Sequence, residues 1–200
     1  MSRDKNKDKA QWREIMRLYG RGMTASTALL AQRHLAHHPK RAVAWLYYGA
    51  SLAQMSRYPE AISALRRAAR LFPPAHRSLV YFHFGQLYER KGVVRLAESW
   101  YGRAIASSPS DAGDRIMLGR VLHRAGRLQE AAAVLRRATR CKEGSREEAF
   151  LHLGFALVGL ERFPEARRCF RHALDIDPKY TEARRALSDI EYVIEQNRNA

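Results

Sequence analysis

Six positions recur four times at one internal spacing along this chain, and that recurrence restricts it to an array of small, similar units stacked on one another. The first set is Trp45, Gly49, Leu52, Ala61, Leu65 and Ala68, closed by Pro73. The second is Tyr81, Gly85, Tyr88, Ala97, Tyr101 and Ala104, closed by Pro109. The third is Arg115, Gly119, Leu122, Ala131, Leu135 and Ala138, with no closing proline. The fourth is Phe150, Gly154, Leu157, Ala166, Phe170 and Ala173, closed by Pro178. Successive glycines lie 36, 34 and 35 residues apart, so residues are added between units while the spacing inside each unit is kept. A unit this short cannot bury its apolar face alone and must do so against its neighbours.

Each unit reads as two helices. Trp45, Tyr48, Gly49 and Leu52 fall within about 100° of arc at 3.6 residues per turn, a single face. Glycine in that face lets the second helix approach closely. Ala61, Ala97, Ala131 and Ala166 are expected to supply the matching small surface, with Leu65 and Ala68, or their equivalents, turned toward the next unit. Gly92 and Gly126 mark the turn in the second and third units. The first and fourth place Arg57-Tyr58-Pro59 and Arg162-Phe163-Pro164 there, with proline where its missing N–H costs nothing.

This set of spacings resembles the tetratricopeptide repeat, six positions agreeing four times over. The resemblance implies an all-α, right-handed superhelical solenoid of antiparallel helical hairpins, with four repeats over residues 40–179 (about 42–75, 78–111, 112–145 and 147–180). It also implies a non-enzymatic scaffold for protein–protein interaction. Residues 1–9 read as a charged flexible tail. Residues 10–39 hold two helical stretches about Gly20-Arg21-Gly22, ending at Pro39. Their small residues do not fall where Gly49 and Ala61 do, so a degenerate hairpin and a one-sided amphipathic cap both fit. Residues 181–200 carry the stripe Ala183, Ala186, Leu187, Ile190, Val193 and Ile194, the capping helix of such an array.

At 46% apolar residues the chain can build a continuous core. No run approaches the roughly 20 apolar residues of a membrane span, and the charged N-terminus is unlike a secretory signal. Cys141 and Cys169 are too few and too far apart for a disulfide framework or a zinc site. A cytoplasmic protein is expected. The unusual quantity is charge: +16 overall, with 29 arginines to 7 lysines. Such a field favours acidic partners.

Motifs with chemistry are sparse. Gly20-Arg21-Gly22-Met23-Thr24-Ala25 matches a dinucleotide fingerprint by letter, but that motif works where a strand enters a tight turn, and a turn between helices is expected here. His34, His37 and His38 share one helix end without a carboxylate or cysteine beside them, so helix-end histidines are favoured over a metal site. Asp175 and Asp177 fall at the end of a second helix. No nucleophile elbow, phosphate loop or zincin motif is present. No catalytic residue, metal or cofactor is assigned.

The candidate site lies on the first helix of each unit, at positions 1, 5 and 9 beyond the buried aromatic. These are Leu46, Ala50 and Gln54; Phe82, Gln86 and Arg90; Ile116, Arg120 and Arg124; Leu151, Phe155 and Gly159. Tyr47, His83, Met117 and His152 flank them. The resemblance makes this the concave groove that holds a partner segment. The assigned groove residues are Tyr47, Phe82, His83, Gln86, Arg90, Met117, Arg120, Arg124, His152 and Phe155, for a segment both acidic and apolar. Leu46, Phe82, Ile116 and Leu151 could equally pack between neighbouring units. Where the family's carboxylate clamps carry Lys and Asn, this chain has Leu46, Ala50, Phe82 and Gln86. Only Arg120 and Arg124 resemble the basic end of such a clamp. A second basic set, Arg66, Arg67, Arg70, Arg103, Arg136, Arg137, Arg140, Arg168 and Arg171, follows the second helices. It is either a solvated ridge or an RNA- or ribosome-binding one, although no aromatic residues are interleaved to stack bases.

Overall fold

The computed structural model describes residues 2–199, and side chains over 10–198. Eleven α-helices account for the described residues: α1 Ser2–Gly20, α2 Thr24–His37, α3 Ala42–Gln54, α4 Tyr58–Leu71, α5 Ser78–Arg90, α6 Val94–Ser107, α7 Gly113–Arg124, α8 Leu128–Ala138, α9 Arg146–Gly159, α10 Phe163–Ile176 and α11 Thr181–Asn199. Among those residues there is no strand, only an isolated bridge between Asp111 and Glu143. The side chains of the charged tail expected over residues 1–9 lie outside the described residues. Packing divides the chain into two compact units, residues 1–100 and 101–200, the division falling inside α6.

One turn, repeated five times, defines the hairpins. Gly22, Ser56, Gly92, Gly126 and Glu161 all have positive φ, between 58° and 74°. At each, the next residue donates its N–H to a carbonyl five residues back: Met23 to Leu18, Arg57 to Leu52, Val93 to Tyr88, Arg127 to Leu122 and Arg162 to Leu157. The positive-φ residue itself donates to a carbonyl three back, as Gly22 does to Tyr19. This is the Schellman ending, which satisfies carbonyls that a helix C-terminus leaves over. It occurs after α1 in the same form as after α3, α5, α7 and α9, so α1 and α2 form a hairpin of the same kind. The second helices then open alike in three hairpins, with Arg57 on Glu60, Arg127 on Glu130 and Arg162 on Glu165.

The helices meet differently from the expected pairing of glycine with alanine. A Cβ on Gly49 would lie 2.9 Å from Cγ of Leu65, one on Gly119 2.4 Å from Cγ of Leu135, and one on Gly154 2.3 Å from Cε1 of Phe170. The small residue of the first helix thus receives the large one of its own hairpin, rather than leaving it to face the next unit. Ala61, Ala97, Ala131 and Ala166 are fully buried. In the first hairpin the sizes are exchanged. Ile15 stands 34 residues before Gly49 and Ala31 stands 34 before Leu65, and both are fully buried.

Residues added between units have structure of their own. Pro74–His76 form a single 3-10 turn. In the second half, Ala112 donates its N–H to the Glu143 carbonyl at 3.0 Å and Glu143 returns one to Ser110 at 3.1 Å, clasping two loops together. Arg115, which occupies the position of the aromatic, has a clear role. Its Nη1 donates to the Pro109 carbonyl at 2.8 Å, as Trp45 Nε1 does to the Pro39 carbonyl at 2.8 Å. Arg184 on α11 makes the same reach to the Pro178 carbonyl. The position needs a long N–H donor six residues beyond a helix-ending proline, and either side chain supplies one. On α11, Ala183, Ala186 and Ile190 are buried, while Val193 is exposed and leaves the expected stripe.

Candidate functional site

Along the first helices the expected face rises out of the core from its N-terminal end. Leu46, Ile116 and Leu151, at its first position, are buried at 0–1% exposure and are packing residues; Phe82 is half-buried. At the fifth position Gln86, Arg120 and Phe155 are half-buried, whereas Ala50 is buried. At the ninth Gln54, Arg90, Arg124 and Gly159 are exposed.

In residues 1–100 this face is aromatic. The Tyr47 ring lies 4.7 Å from Tyr19 and 5.6 Å from Trp12, centre to centre. Tyr19 meets His83 edge-on at 6.2 Å, and His83 meets Phe82 at 5.4 Å. Arg41 lies over the Trp12 ring at 5.8 Å. His83 is buried, not part of an open surface, with its Nδ1 3.0 Å from Gln86 Oε1. Burial pushes its pKa down to about 4, against the Gln86 hydrogen bond, so it stands neutral. Trp12 and Tyr19 belong to this face but were not among the residues assigned from sequence. The 34-residue offset from Leu46 leads to Trp12, whereas Tyr19 stands 34 before Ala53, which the count of first, fifth and ninth positions leaves out.

In residues 101–200 the face forms a half-open pocket of about 200 Å³. Arg120, Arg124, His152 and Phe155 line it together, joined by His123, Gly119 and Leu135. Met117 sits behind, its Sδ 3.8 Å from Arg120 Nη1. His152 Nε2 lies 3.6 Å from Glu148 Oε1, one turn before it on α9. That histidine, and more weakly Arg120, hold the Glu148 carboxyl below its usual range. Phe155 packs at 5.5 Å on Phe170, the ring that fills the Gly154 notch. His123 escaped the count of first, fifth and ninth positions. It lies three residues after Arg120, hence on the same side of α7.

The second-helix arginines Arg66, Arg67, Arg70, Arg103, Arg137, Arg140, Arg168 and Arg171 are exposed and Arg136 is half-buried. Arg171 is engaged by Glu191 of α11 at 2.6 Å. Of the three histidines grouped in the sequence, His34 is fully buried with Nδ1 3.2 Å from Gln11 Oε1, while His37 and His38 are exposed. Among the described residues no three His, Cys, Asp or Glu side chains are placed to hold a metal ion. Neither cysteine is in a disulfide, and burial pushes the Cys169 thiol up to about 11. No described helix is long and apolar enough to cross a membrane.

Hairpins of this geometry, presenting side chains from successive first helices, define a helical-repeat scaffold for binding other proteins. The tetratricopeptide repeat family model matches residues 19–76, 82–146 and 147–180, and the chain belongs to that family. Tetratricopeptide repeat protein 7B of Homo sapiens is 30% identical over 142 residues, covering 70% of this chain and 16% of that protein. The Mus musculus protein matches to the same extent. This chain therefore corresponds to only a small part of the length of those relatives. Among solved structures, YrrB, a TPR protein with an unusual peptide-binding site, superposes with a TM-score of 0.60 at 20% identity, over 92% of this chain and 94% of its own. The thermophilic TPR protein TTC0263 of Thermus thermophilus does so with 0.67 at 19% identity, over 92% and 99%. At such identities the likeness is one of fold, the all-α solenoid of antiparallel hairpins.

Proposed function

We propose that the chain is a non-enzymatic adaptor, acting in the cytoplasm, that holds a segment of another protein on its first-helix faces. The segment carries acidic and apolar groups together. The observation that supports this reading is the pocket in the second half, whose lining Arg120 and Arg124, one helical turn apart, share with Phe155, His123 and His152. Guanidinium groups so spaced can meet a carboxylate from one side, while the aromatic wall gains by losing water. In the first half, Tyr47, Phe82, Gln86 and Arg90 offer aromatic surface with polar ends. YrrB, similar in fold, has a peptide-binding site, and a ligand of that class is proposed here on the residues of this chain.

The experiment is binding of fluorescent peptides, varied in acidic and apolar content, to the intact chain. Arg120→Glu with Arg124→Glu should abolish binding, since a like-charge clash replaces an attraction. Arg136→Glu with Arg137→Glu should leave it intact. The alternative is an RNA- or ribosome-associated protein using the second-helix arginines. It would show the reverse pattern, with RNA binding that falls by orders of magnitude between low and moderate salt.

A further inference from the structure

The positive charge of the chain is unevenly spread. Residues 1–100 hold 18 Lys and Arg against 6 Asp and Glu, a net +12, whereas residues 101–200 hold 18 against 14, a net +4. If every acid of the first half held one cation, as Glu14 holds Arg17 and Glu60 holds Arg57, twelve cations would still stand in excess. Thirteen of the 18 are arginines, whose planar fork binds phosphate oxygens in pairs and whose flat face stacks on rings.

The same half carries the aromatic face. Trp12 and Tyr19 of α1, Tyr47 of α3 and Phe82 of α5 are all half-buried, so part of each is open to solvent. Met16 lies four residues after Trp12 and three before Tyr19, hence on their side of α1, and is 47% exposed. Cations border the rings. Arg41 lies over Trp12 at 5.8 Å, Arg90 is near enough for its charge to act on the Tyr19 hydroxyl, and Arg13, next to Trp12, is exposed. Half-open rings beside a cationic excess match the two parts of a single-stranded nucleic acid, bases for the rings and phosphates for the arginines. A short acidic peptide offers no flat ring system for each ring of the row. A bilayer takes up the protruding apolar side chains of an interfacial helix, and half-buried rings do not protrude.

We propose that the first-helix face of residues 1–100 binds single-stranded nucleic acid, with bases stacked on Trp12, Tyr19 and Tyr47 and the phosphate backbone drawn by the surrounding arginines. This goes beyond the peptide reading, whose supporting pocket lies in the second half. It also differs from a ridge of second-helix arginines, which lacks rings. Such binding tolerates any sequence, because every base has a face to stack.

The test titrates the intact chain with a fluorescent oligouridylate and with an abasic strand of the same length and charge, at about 50 and about 200 mM salt. Both strands should weaken about tenfold or more between the two salt levels. At each level the uridylate should bind at least about fivefold more tightly, since it alone has bases to stack. Tyr47→Leu should remove most of that margin and Tyr47→Phe, which keeps the ring, should preserve it. Arg66→Glu with Arg67→Glu, on the second helix, should weaken both strands alike and leave the margin unchanged. Equal affinity for the two strands overturns the proposal, and that comparison uses the parent protein, so it stands even where a variant folds poorly. A margin that survives Tyr47→Leu overturns it too, as does binding of an acidic peptide or of phosphatidylserine vesicles with none of the uridylate. Charge reversal at Arg120 and Arg124 separates this inference from the peptide reading. It should release the peptide and keep the uridylate margin, and failure of either result sinks the corresponding assignment alone.

Discussion

Gly154 on α9 and Phe170 on α10 fit so closely that a Cβ on the glycine would lie 2.3 Å from Cε1 of the ring. Alanine at a helix interior gains about 1 kcal/mol over glycine in propensity, and overpacking a filled site costs about 1–3 kcal/mol. Gly154→Ala should therefore lose up to about 2 kcal/mol of stability. At Gly49 the corresponding approach is 2.9 Å to Leu65 Cγ, with the Leu65 backbone nitrogen at 3.1 Å, so Gly49→Ala should also lose stability, but less than Gly154→Ala because the overlap is smaller. Urea midpoints of the two variants check the ranking. Adding Phe170→Leu to Gly154→Ala should recover part of the loss, and a midpoint for Gly154→Ala at or above the parent would show that the ring swings aside.

That contact also marks how far the fold was legible. Periodic glycines and alanines announce that two helices touch, but not which residue fills the glycine notch, because Leu65 and Ala61 both lie on the inward side of α4. The hairpin of α1 and α2 was harder to read because its volumes are exchanged: Ile15 takes the place of Gly49 and Ala31 that of Leu65. A pattern of residue identities misses such an exchange, while a pattern of summed volumes would not. At the candidate site, the side of α7 facing away from its partner was readable, and it brings Arg120 and Arg124 to Phe155 and His152. Depth was not readable. Leu46, Ile116 and Leu151 sit near the N-terminal ends of their helices, where the face is still inside the array.

Ser56 and Glu161 hold the turn positions that Gly22, Gly92 and Gly126 hold elsewhere, at φ of 60° and 58°. A left-handed residue with a side chain costs roughly 1–2 kcal/mol, partly offset by the greater entropy glycine loses on folding. Ser56→Gly and Glu161→Gly should each stabilise the chain by about 0.5–1 kcal/mol. Gly92→Ser and Gly126→Ser should destabilise it by a similar amount. Thermal melts of the four single variants decide this, and a loss of stability in Ser56→Gly would contradict it.

The two halves should respond to acid in opposite senses. His83 is buried in the first half with its pKa pushed down to about 4. The unfolded chain, with histidine near 6.5, then binds more protons, so stability present above pH 6.5 is lost as pH falls toward 4. A shift of that size corresponds to stability on the order of 3 kcal/mol. Asp114 in the second half is buried with Asp111 beside it, and burial first, then that carboxylate, raise its pKa to about 6. Here the folded state binds more protons, so the contribution is fully present below about pH 4 and is lost as pH rises through 6. Hydrogen exchange between pH 4 and 7 should show helices α3–α5 loosening on acidification and α7–α9 tightening. His83→Gln should flatten the first trend and Asp114→Asn the second. Parallel trends in both halves would refute the assignment.

Glu148 sets the electrostatic balance of the pocket. Its carboxylate lies 3.6 Å from His152 Nε2, with the Arg120 charge also acting on it, so an anionic ligand meets a site already partly neutralised from within. Glu148→Gln removes that internal competitor and keeps the side chain's size and a hydrogen-bonding oxygen. Interactions between partly exposed charges are worth about 0.2–1 kcal/mol, so affinity for an acidic segment should rise about two- to fivefold. The gain should shrink in high salt, where the screening length falls to about 3 Å at 1 M. A gain of that kind would identify the ligand's own charge as negative. Peptide titrations of the parent and Glu148→Gln proteins at low and high salt make the comparison. Weaker binding by Glu148→Gln would instead mean that Glu148 orients His152 for the ligand, and that positioning outweighs charge at this site.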